Sequence, residues 1–553
     1  MGFKDIALWA EGDWIAAIAA TILGLFLLLG AFAITRPQEE VGGHPKGLYI
    51  LFFAEMWERF SYYGMRALLI FYLTQHWLFN DSSSNLIYGT YVSLVYITPV
   101  LGGYLADRYL GQRKAVLFGA VLITIGHFLM TIEGDGGQAD DTINIFWLAL
   151  SFVIVGTGFL KANISVMVGQ LYPRTDVRRD GAYTIFYIGI NLGAAAGVIL
   201  AGYLGQTVGW SYGFGAAGIG MLLGLVVFVL GKPMLRGRGE APSAEVLAKP
   251  IAGIKLEWLL YITGIVAVAV MWVLLQAQSV VGWLMLVSAV LLLGYVLYEA
   301  FKLDKEARDR IFAIIFLVAL QPVFWGLFEQ AGGSLNLFTD RFVDRQGVPA
   351  SLFQSINSIF IMTMGPVFAG LWVFLAKRGL EPSTPFKFGL GILQVGLGFL
   401  VFVWGANAVG PGVLVPVILV FAIYFLHTTG ELCLSPVGLS AMNRLSPMHL
   451  ASLVMGAWFF ATAGGNYVAG MIGAATGGEE GEMTRELTLS VYNSIGWFAV
   501  GVGVLVLVVS PLVKRWMHLD TLSDDNVGDD MLGEGELAEP AAAGVNTSGE
   551  TRP

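Results

Sequence analysis

Apolar residues run along this chain in blocks of about 20 or more, separated by short polar, basic or Gly-rich connections, and within a block no helical face is left polar. A helix needs about 20 apolar residues to cross roughly 30 Å of hydrocarbon. The blocks lie at about 14–34, 48–78, 84–106, 115–132, 144–171, 182–204, 211–230, 257–276, 279–301, 311–339, 350–376, 386–408, 412–443, 450–475 and 488–513. Transmembrane β-strands would instead alternate over segments of about 10 residues, so the fifteen blocks are predicted to be membrane-spanning helices. The pair at 257–276 and 279–301 has basic flanks at both ends and almost no polar surface, which predicts a hairpin inserted between two sets of six. The predicted organisation is all-α. Residues 1–45 form an extra N-terminal helix and linker, 46–231 one six-helix bundle, 232–308 a linker with the hairpin, 309–515 a second bundle, and 516–553 a tail. A weak repeat relates the bundles: Gly103-Tyr104-Leu105-Ala106-Asp107-Arg108-Tyr109-Leu110-Gly111 is echoed by Leu375-Ala376-Lys377-Arg378-Gly379.

Composition agrees and adds exclusions. Only 13% of the 553 residues are charged and 56% are hydrophobic, against about 25% charged in soluble domains, which excludes a soluble enzyme. The lone Cys433 allows neither an internal disulfide nor a Cys-rich metal cluster nor a redox pair. The net charge of −9 comes from the tail, where nine Asp or Glu between Asp520 and Glu550 face a single base, Arg552. With Gly, Ala and Pro as its other main components, this tail is predicted to be disordered.

Lys and Arg mark the cytoplasmic connections of a membrane protein. Twenty-three of them fall on one set: Arg36 and Lys46; Arg108, Arg113 and Lys114; Arg174, Arg178 and Arg179; Lys232, Arg236, Arg238, Lys249 and Lys255; Lys302, Lys305, Arg308 and Arg310; Lys377, Arg378 and Lys387; Arg444; Lys514 and Arg515. The alternate connections hold Arg341, Arg345 and Arg485 among acidic runs such as Asp140-Asp141 and Glu479-Glu480. The first set and the C-terminus are therefore expected in the cytoplasm, with the protein in the inner (plasma) membrane. Block 14–34 ends in a small-x-small triplet, Ala31-Phe32-Ala33, that resembles a signal-peptide cleavage site, but Lys4 is outweighed by Asp5, Glu11 and Asp13. A signal peptide needs a basic n-region. An extra helix with its N-terminus outside keeps Arg36 and Lys46 on the cytoplasmic side and is the reading taken.

A charge at mid-membrane costs roughly 2.5–3.5 kcal/mol on insertion scales and calls for a function. Glu55, Glu58 and Arg59 sit at i, i+3 and i+4, on one face that Tyr62 and Tyr63 extend; Lys161, Glu329 and Glu431 lie inside three further blocks. A purely structural reading makes each an ion pair that holds helices together, but a bundle can be held by small residues and neutral hydrogen bonds without so many charges. Fixed Arg59 and Lys161 would attract an anionic group such as a carboxylate, while Glu55, Glu58 and Glu431 could take up and release protons. Two related six-helix halves with a midplane site are the mark of many secondary transporters. No G-x-x-x-x-G-K-[ST] loop is present, so uphill movement would draw on an ion gradient rather than ATP.

These residues resemble one family, the proton-dependent oligopeptide transporters of the major facilitator superfamily. Its E-x-x-E-R-F-x-Y-Y motif matches Glu55 to Tyr63, with Gly64-Met65-Arg66-Ala67 continuing in the same style. The superfamily loop G-x-L-A-D-R-x-x-G-x-R/K is similar to Gly103, Leu105, Ala106, Asp107, Arg108, Gly111 and Arg113, and F-Y-x-x-I-N-x-G to Phe186–Gly193. Trp325 to Glu329-Gln330, Phe353-Gln354-Ser355-Ile356-Asn357 and Gly430-Glu431 to Ser435-Pro436 resemble the motifs of core helices seven, eight and ten. The likeness spans about 46–515 and includes the hairpin. It implies the major facilitator fold and proton-coupled import of di- and tripeptides by alternating access.

Carried over by resemblance, Arg59 and Lys161 would hold the peptide carboxylate with Tyr62, Tyr63 and Tyr96 nearby. Asn191, Asn357 and Glu431 would receive the ammonium and backbone, Trp325 and Trp458 would line side-chain pockets, and Glu55, Glu58 and Glu329 would couple protons. Two positions depart from the family. Ala162 follows Lys161 where Pro is usual, which removes the reason for a kink, and Gly89 stands in the Ile87-Tyr88-Gly89-Thr90 stretch where many animal members carry His. His427 and Glu431, at i and i+4, lack a third ligand for a metal. Peptide, protons and membrane lipids are the expected partners; no cofactor, metal, nucleic acid or enzymatic activity is expected. Nitrate or another small anion would also suit Arg59 and Lys161, and a non-transporting peptide sensor is the remaining alternative.

Overall fold

The protein was analysed as a computed structural model that describes residues 10–521 apart from 37, 174, 175 and 177. Lys4, Arg174 and the acidic stretch beyond 521 therefore lie outside the described residues. Every apolar block is a helix: α1 Glu11–Thr35, α2 Lys46–Phe71, α3 Asp81–Leu105, α4 Gln112–Leu129, α5 Ile143–Gln170, α6 Arg179–Thr207, α7 Trp210–Leu230, α8 Leu256–Gln276, α9 Gln278–Ala300, α10 Lys305–Phe328, α11 Ser355–Ala376, α12 Thr384–Ala408, α13 Ile418–Leu445, α14 Ala451–Ala475 and α15 Arg485–Trp516. Twelve are long and apolar enough to cross a membrane on that ground alone; α2, α4 and α14 are the other three. In α2 the cause is its own Glu55, Glu58, Arg59 and Arg66.

Two local features depart from the hydrophobic pattern. Block 311–339 is not one helix: after Phe328 the chain tightens into a 3-10 turn at Glu329–Ala331 and resumes as a short helix, Ser334–Phe342. The interruption falls where Tyr88 enters from α3. A Cβ on Gly332 would stand 1.8 Å from the Tyr88 hydroxyl, so only a residue without a side chain leaves room for it. Three two-residue strand pairs also occur. Two are tight antiparallel hairpins just before α2 and α8, turned by Gly42-Gly43 and Ala252-Gly253, whose φ values of +59°, +81°, +52° and +85° are left-handed. The third joins Val343–Asp344 to Val415–Pro416 in parallel.

Within hydrocarbon, helices gain little from hiding apolar surface from each other, so close backbone approach through small residues holds them. Gly193 and Gly197 of α6 bring that helix onto α2, where an added Cβ would come within 2.1 Å of the Met56 and Phe60 carbonyl oxygens. Gly391 of α12 meets Gly430 of α13, and Gly396 meets Gly496 of α15. The first bundle is formed by α2–α7 and the second by α10–α15. Helix α1 lies outside the first, against α6 and α2, with Gly30 beneath the Phe53 ring and Asp13 accepting the Tyr203 hydroxyl. In the hairpin, α8 packs chiefly on α5 and α9 on α10 and α14. Helix α5 runs unbroken past Lys161-Ala162.

The bundles meet at the face opposite the basic connections. A Cβ on Gly89 would lie 2.6 Å from Gly470 Cα and 2.8 Å from the Asn466 carbonyl oxygen, which explains why no larger residue, His included, stands there. Around this crossing Ser93 Oγ donates to the Ala463 carbonyl (2.8 Å) and Ser82 Oγ to that of Ala474 (2.7 Å). Asp81 at the start of α3 accepts both Nη groups of Arg341 (2.6 and 2.7 Å) and the Met483 amide, and Gln206 of α6 accepts the Ser351 amide at 2.9 Å. Towards the basic face, past Ile361, α11 has no buried residue among those described. The contacts that join the bundles most closely thus lie at the face opposite the basic connections.

Filling the Gly89–Gly470 contact tests this closure. Overpacking costs about 1–3 kcal/mol, so Gly89→Leu is expected to favour the conformation open at this face. Spin labels at Ser83 and Glu480 should report longer separations by pulsed resonance; an unchanged distance distribution would contradict the crossing described.

Candidate functional site

The charged side chains buried in the two bundles fall into three groups. Helix α2 supplies the first. Glu55, Glu58 and Arg59 are buried, at 2%, 0% and 4% exposure. Arg59 Nε donates to Glu55 Oε1 at 2.7 Å and stands 3.0 Å from Glu58 Oε2. The Nε–H is directed at Glu55, and both Glu58 oxygens and Glu55 Oε2 remain buried without a hydrogen-bond partner among the described residues. From α5, Lys161 reaches the same field, close enough to interact with Glu58, Glu55 and Arg59. Its Nζ sits 3.8 Å above the Tyr96 ring and makes no ion pair among the described residues. A cation over an aromatic face that makes no direct ion pair can also receive an anion.

The second group lies two turns further along α2. Arg66 forms an ion pair with Glu329 of the other bundle, donates from Nε to the Tyr88 hydroxyl at 2.6 Å, and lies between the rings of Tyr63 and Tyr88, 5.7 Å from each. Glu329 is therefore separate from Glu55 and Glu58. Tyr62 packs edge-on to Tyr63 at 5.2 Å, and its buried hydroxyl has no partner among the described residues. The third group belongs to the second bundle, where Asn357 Nδ2 donates to Glu431 Oε2 (2.9 Å) and to Thr428 Oγ1 (3.1 Å).

The remaining sequence-predicted residues are engaged within their own bundles. Asn191 Nδ2 donates back to the Tyr187 carbonyl at 3.2 Å. Trp325 Nε1 donates to Gln321 Oε1 at 2.7 Å. Trp458 fills the notch left by Gly438, beside Phe388. His427 turns to the Val395 carbonyl at 3.2 Å, away from the Asn357 partner of Glu431. Sequence reasoning gave no role to Arg66 or Tyr88. The signal for Arg66 was present: it follows Arg59 by seven residues and so shares its helical face.

Two six-helix bundles with charged side chains buried where they face one another have the architecture of a secondary transporter of the alternating-access kind. The sequence profile of the POT family matches residues 113–483, and the chain belongs to that family, whose members are proton-dependent oligopeptide transporters. It is 36% identical over 510 residues to the peptide transporter YePEPT of Yersinia enterocolitica, covering 86% of this chain and 96% of that one. It is 35% identical over 501 residues to the transporter YclF of Bacillus subtilis, covering 87% and 96%. Among solved structures, a peptide transporter POT in complex with sulfate superposes with a TM-score of 0.76 at 34% identity over 88% of this chain and 99% of that one. A POT family transporter in complex with 5-aminolevulinic acid does so with 0.74 at 31%, over 87% and 100%. The chain is thus a multi-pass membrane protein of the major facilitator fold.

Charge matching between Arg66 and Glu329 has a measurable consequence. Removing one partner of a buried pair leaves an uncompensated charge, at a cost of about 3–5 kcal/mol, whereas replacing both by apolar residues is close to neutral. Glu329→Ala is expected to lower the unfolding midpoint in detergent strongly, and Arg66→Met with Glu329→Leu to recover most of the loss. A double variant as unstable as the sum of its single changes would refute charge matching.

Proposed function

We propose that this chain is a proton-coupled symporter that imports di- and tripeptides by alternating access across the inner membrane. Its basic face and C-terminus are on the cytoplasmic side, and segments 46–231 and 309–515 are the moving bundles, joined by 232–308. Relatives named dipeptide and tripeptide permeases and a solved POT structure in complex with alafosfalin support the substrate class. The observation that carries the reading for this chain is the buried cluster on α2, where Arg59 stands between Glu55 and Glu58 with Lys161 beside them. Both oxygens of Glu58 lack a hydrogen-bond partner among the described residues, and Glu431 is presented from the other bundle on Asn357.

A zwitterionic peptide adds no net charge. Its carboxylate fits Arg59 and Lys161, and its ammonium fits Glu431, with Asn191, Trp325 and Trp458 at the edges of the side-chain space. Coupling then needs a carboxylate that takes up a proton when peptide is bound, since a buried ionised acid is costly to carry through hydrocarbon. Glu58 is the group placed to take that proton, because its two oxygens lack donors and its neighbour Arg59 becomes shared with the peptide carboxylate. Since peptide favours protonation, protonation must equally favour peptide binding. The protonated, loaded protein can then reorient.

Uptake of a labelled dipeptide into proteoliposomes under an inward proton gradient tests the function. Accumulation is expected, with C-terminally amidated dipeptide and nitrate competing poorly; competition by nitrate but not by peptide would point to an anion carrier. Arg59→Ala or Lys161→Ala is expected to reduce accumulation more than tenfold, the loss of a charged contact being worth at least about 2 kcal/mol. Glu58→Gln should abolish gradient-driven accumulation while leaving peptide exchange measurable. Full accumulation by that variant would move the coupling site to Glu55 or Glu329.

A further inference from the structure

At the basic face of the second bundle, the ends of α11, α12 and α13 part around a cavity of about 520 Å³ outside the charged midplane site. Trp372 and Lys377 of α11, Lys387 of α12 and Arg444 of α13 line it. Lys387 is already matched, its Nζ 2.6 Å from Glu381 Oε1 and 4.4 Å above the Trp372 ring. Lys377 and Arg444 are exposed and have no ion-pair partner among the described residues. Three cations against the one carboxylate of Glu381 leave the cavity with two positive charges in excess.

The chain leaves the structure from the wall of this cavity. Met517 and Leu519, just past the end of α15, are among its lining residues. His518 between them has a left-handed φ of +42°, so the backbone turns sharply there. The turn is fixed from α10: His518 Nε2 lies 3.1 Å from Asp309 Oδ2, and Arg310 Nη2 donates to the His518 carbonyl at 3.3 Å. Beyond Thr521 follow 32 residues with eight carboxylates and one base, and four of the carboxylates, Asp524, Asp525, Asp529 and Asp530, come first.

We propose that the acidic segment Asp524–Asp530 docks in this basic cavity, its carboxylates meeting Lys377 and Arg444. An extended chain spans about 3.3–3.6 Å per residue, so the five to eleven residues that separate these acids from Leu519 reach the whole cavity. The tether holds them there at an effective concentration in the millimolar range. A bilayer surface rich in anionic lipid would repel this segment, which leaves the protein's own basic face as its counterpart.

Zero-length carbodiimide coupling followed by mass spectrometry tests the docking without reference to transport. The full chain is used in nanodiscs of zwitterionic lipid, with the Lys387–Glu381 pair as internal standard. Isopeptide bonds are expected between Lys377 and the acids at 524–530, weakened by high salt and lowered about fivefold in yield by Arg444→Gln. Because Arg444 is exposed, that variant leaves the fold intact. Absence of these bonds while the standard couples, or bonds spread evenly over all tail acids and basic-face lysines, would overturn the proposal. So would their loss in nanodiscs containing phosphatidylglycerol with Lys377 protected, which would make a lipid headgroup the occupant.

Discussion

Charge buried in hydrocarbon must be matched by charge, and in this protein the matching is done between helices and across the two bundles. Arg59 is held between Glu55 and Glu58 on one helix, whereas Arg66 finds Glu329 only in the opposite bundle. The second pair costs several kcal/mol to break by removing one member, so it acts on the relative position of the bundles as well as on local packing. The first cluster is internally paired yet leaves Glu58 without donors. One pair serves as a fastener, and the other cluster keeps two carboxylate oxygens on Glu58 without a hydrogen-bond partner among the described residues.

The fold supplies the geometry for this division through its smallest residues. Glycines let α2 and α6, α12 and α13, and α3 and α14 approach to backbone contact. In the first two cases the contact fixes helices inside a bundle. In the third it lies between bundles, at Gly89 and Gly470, and is reinforced by hydrogen bonds from Ser82 and Ser93 and by the Asp81–Arg341 pair. Such contacts are reversible because they bury little apolar surface, which suits an interface that opens and closes.

Helix number and placement were legible in the sequence because each span must be apolar over a fixed length, and the charged face of Glu55, Glu58 and Arg59 follows from helical periodicity alone. The break at Glu329 was not legible. It arises because Tyr88, distant in sequence, occupies the space that Gly332 leaves open, and no local pattern encodes that. The separation of Glu329 from Glu55 and Glu58 was hidden for the same reason, as its partner Arg66 lies 263 residues away. The two hairpins before α2 and α8 were signalled by Gly42-Gly43 and Ala252-Gly253 but are too short to register as strands. The resemblance groups Glu431 with Asn357, and the structure joins the two by a hydrogen bond and adds Thr428, which no pattern in the sequence singles out.

The inserted hairpin constrains the motion in a way its apolar surface does not suggest. Helix α8 rests chiefly on the first bundle and α9 on the second, yet a single residue, Ala277, joins them at the closed face. While both helices stay intact, their ends there cannot part by more than roughly 7 Å, the span of two residues. For as long as α8 keeps to the first bundle and α9 to the second, the flank beside Ala277 is a short tether at this face, and a separation of the bundles there is bounded by it.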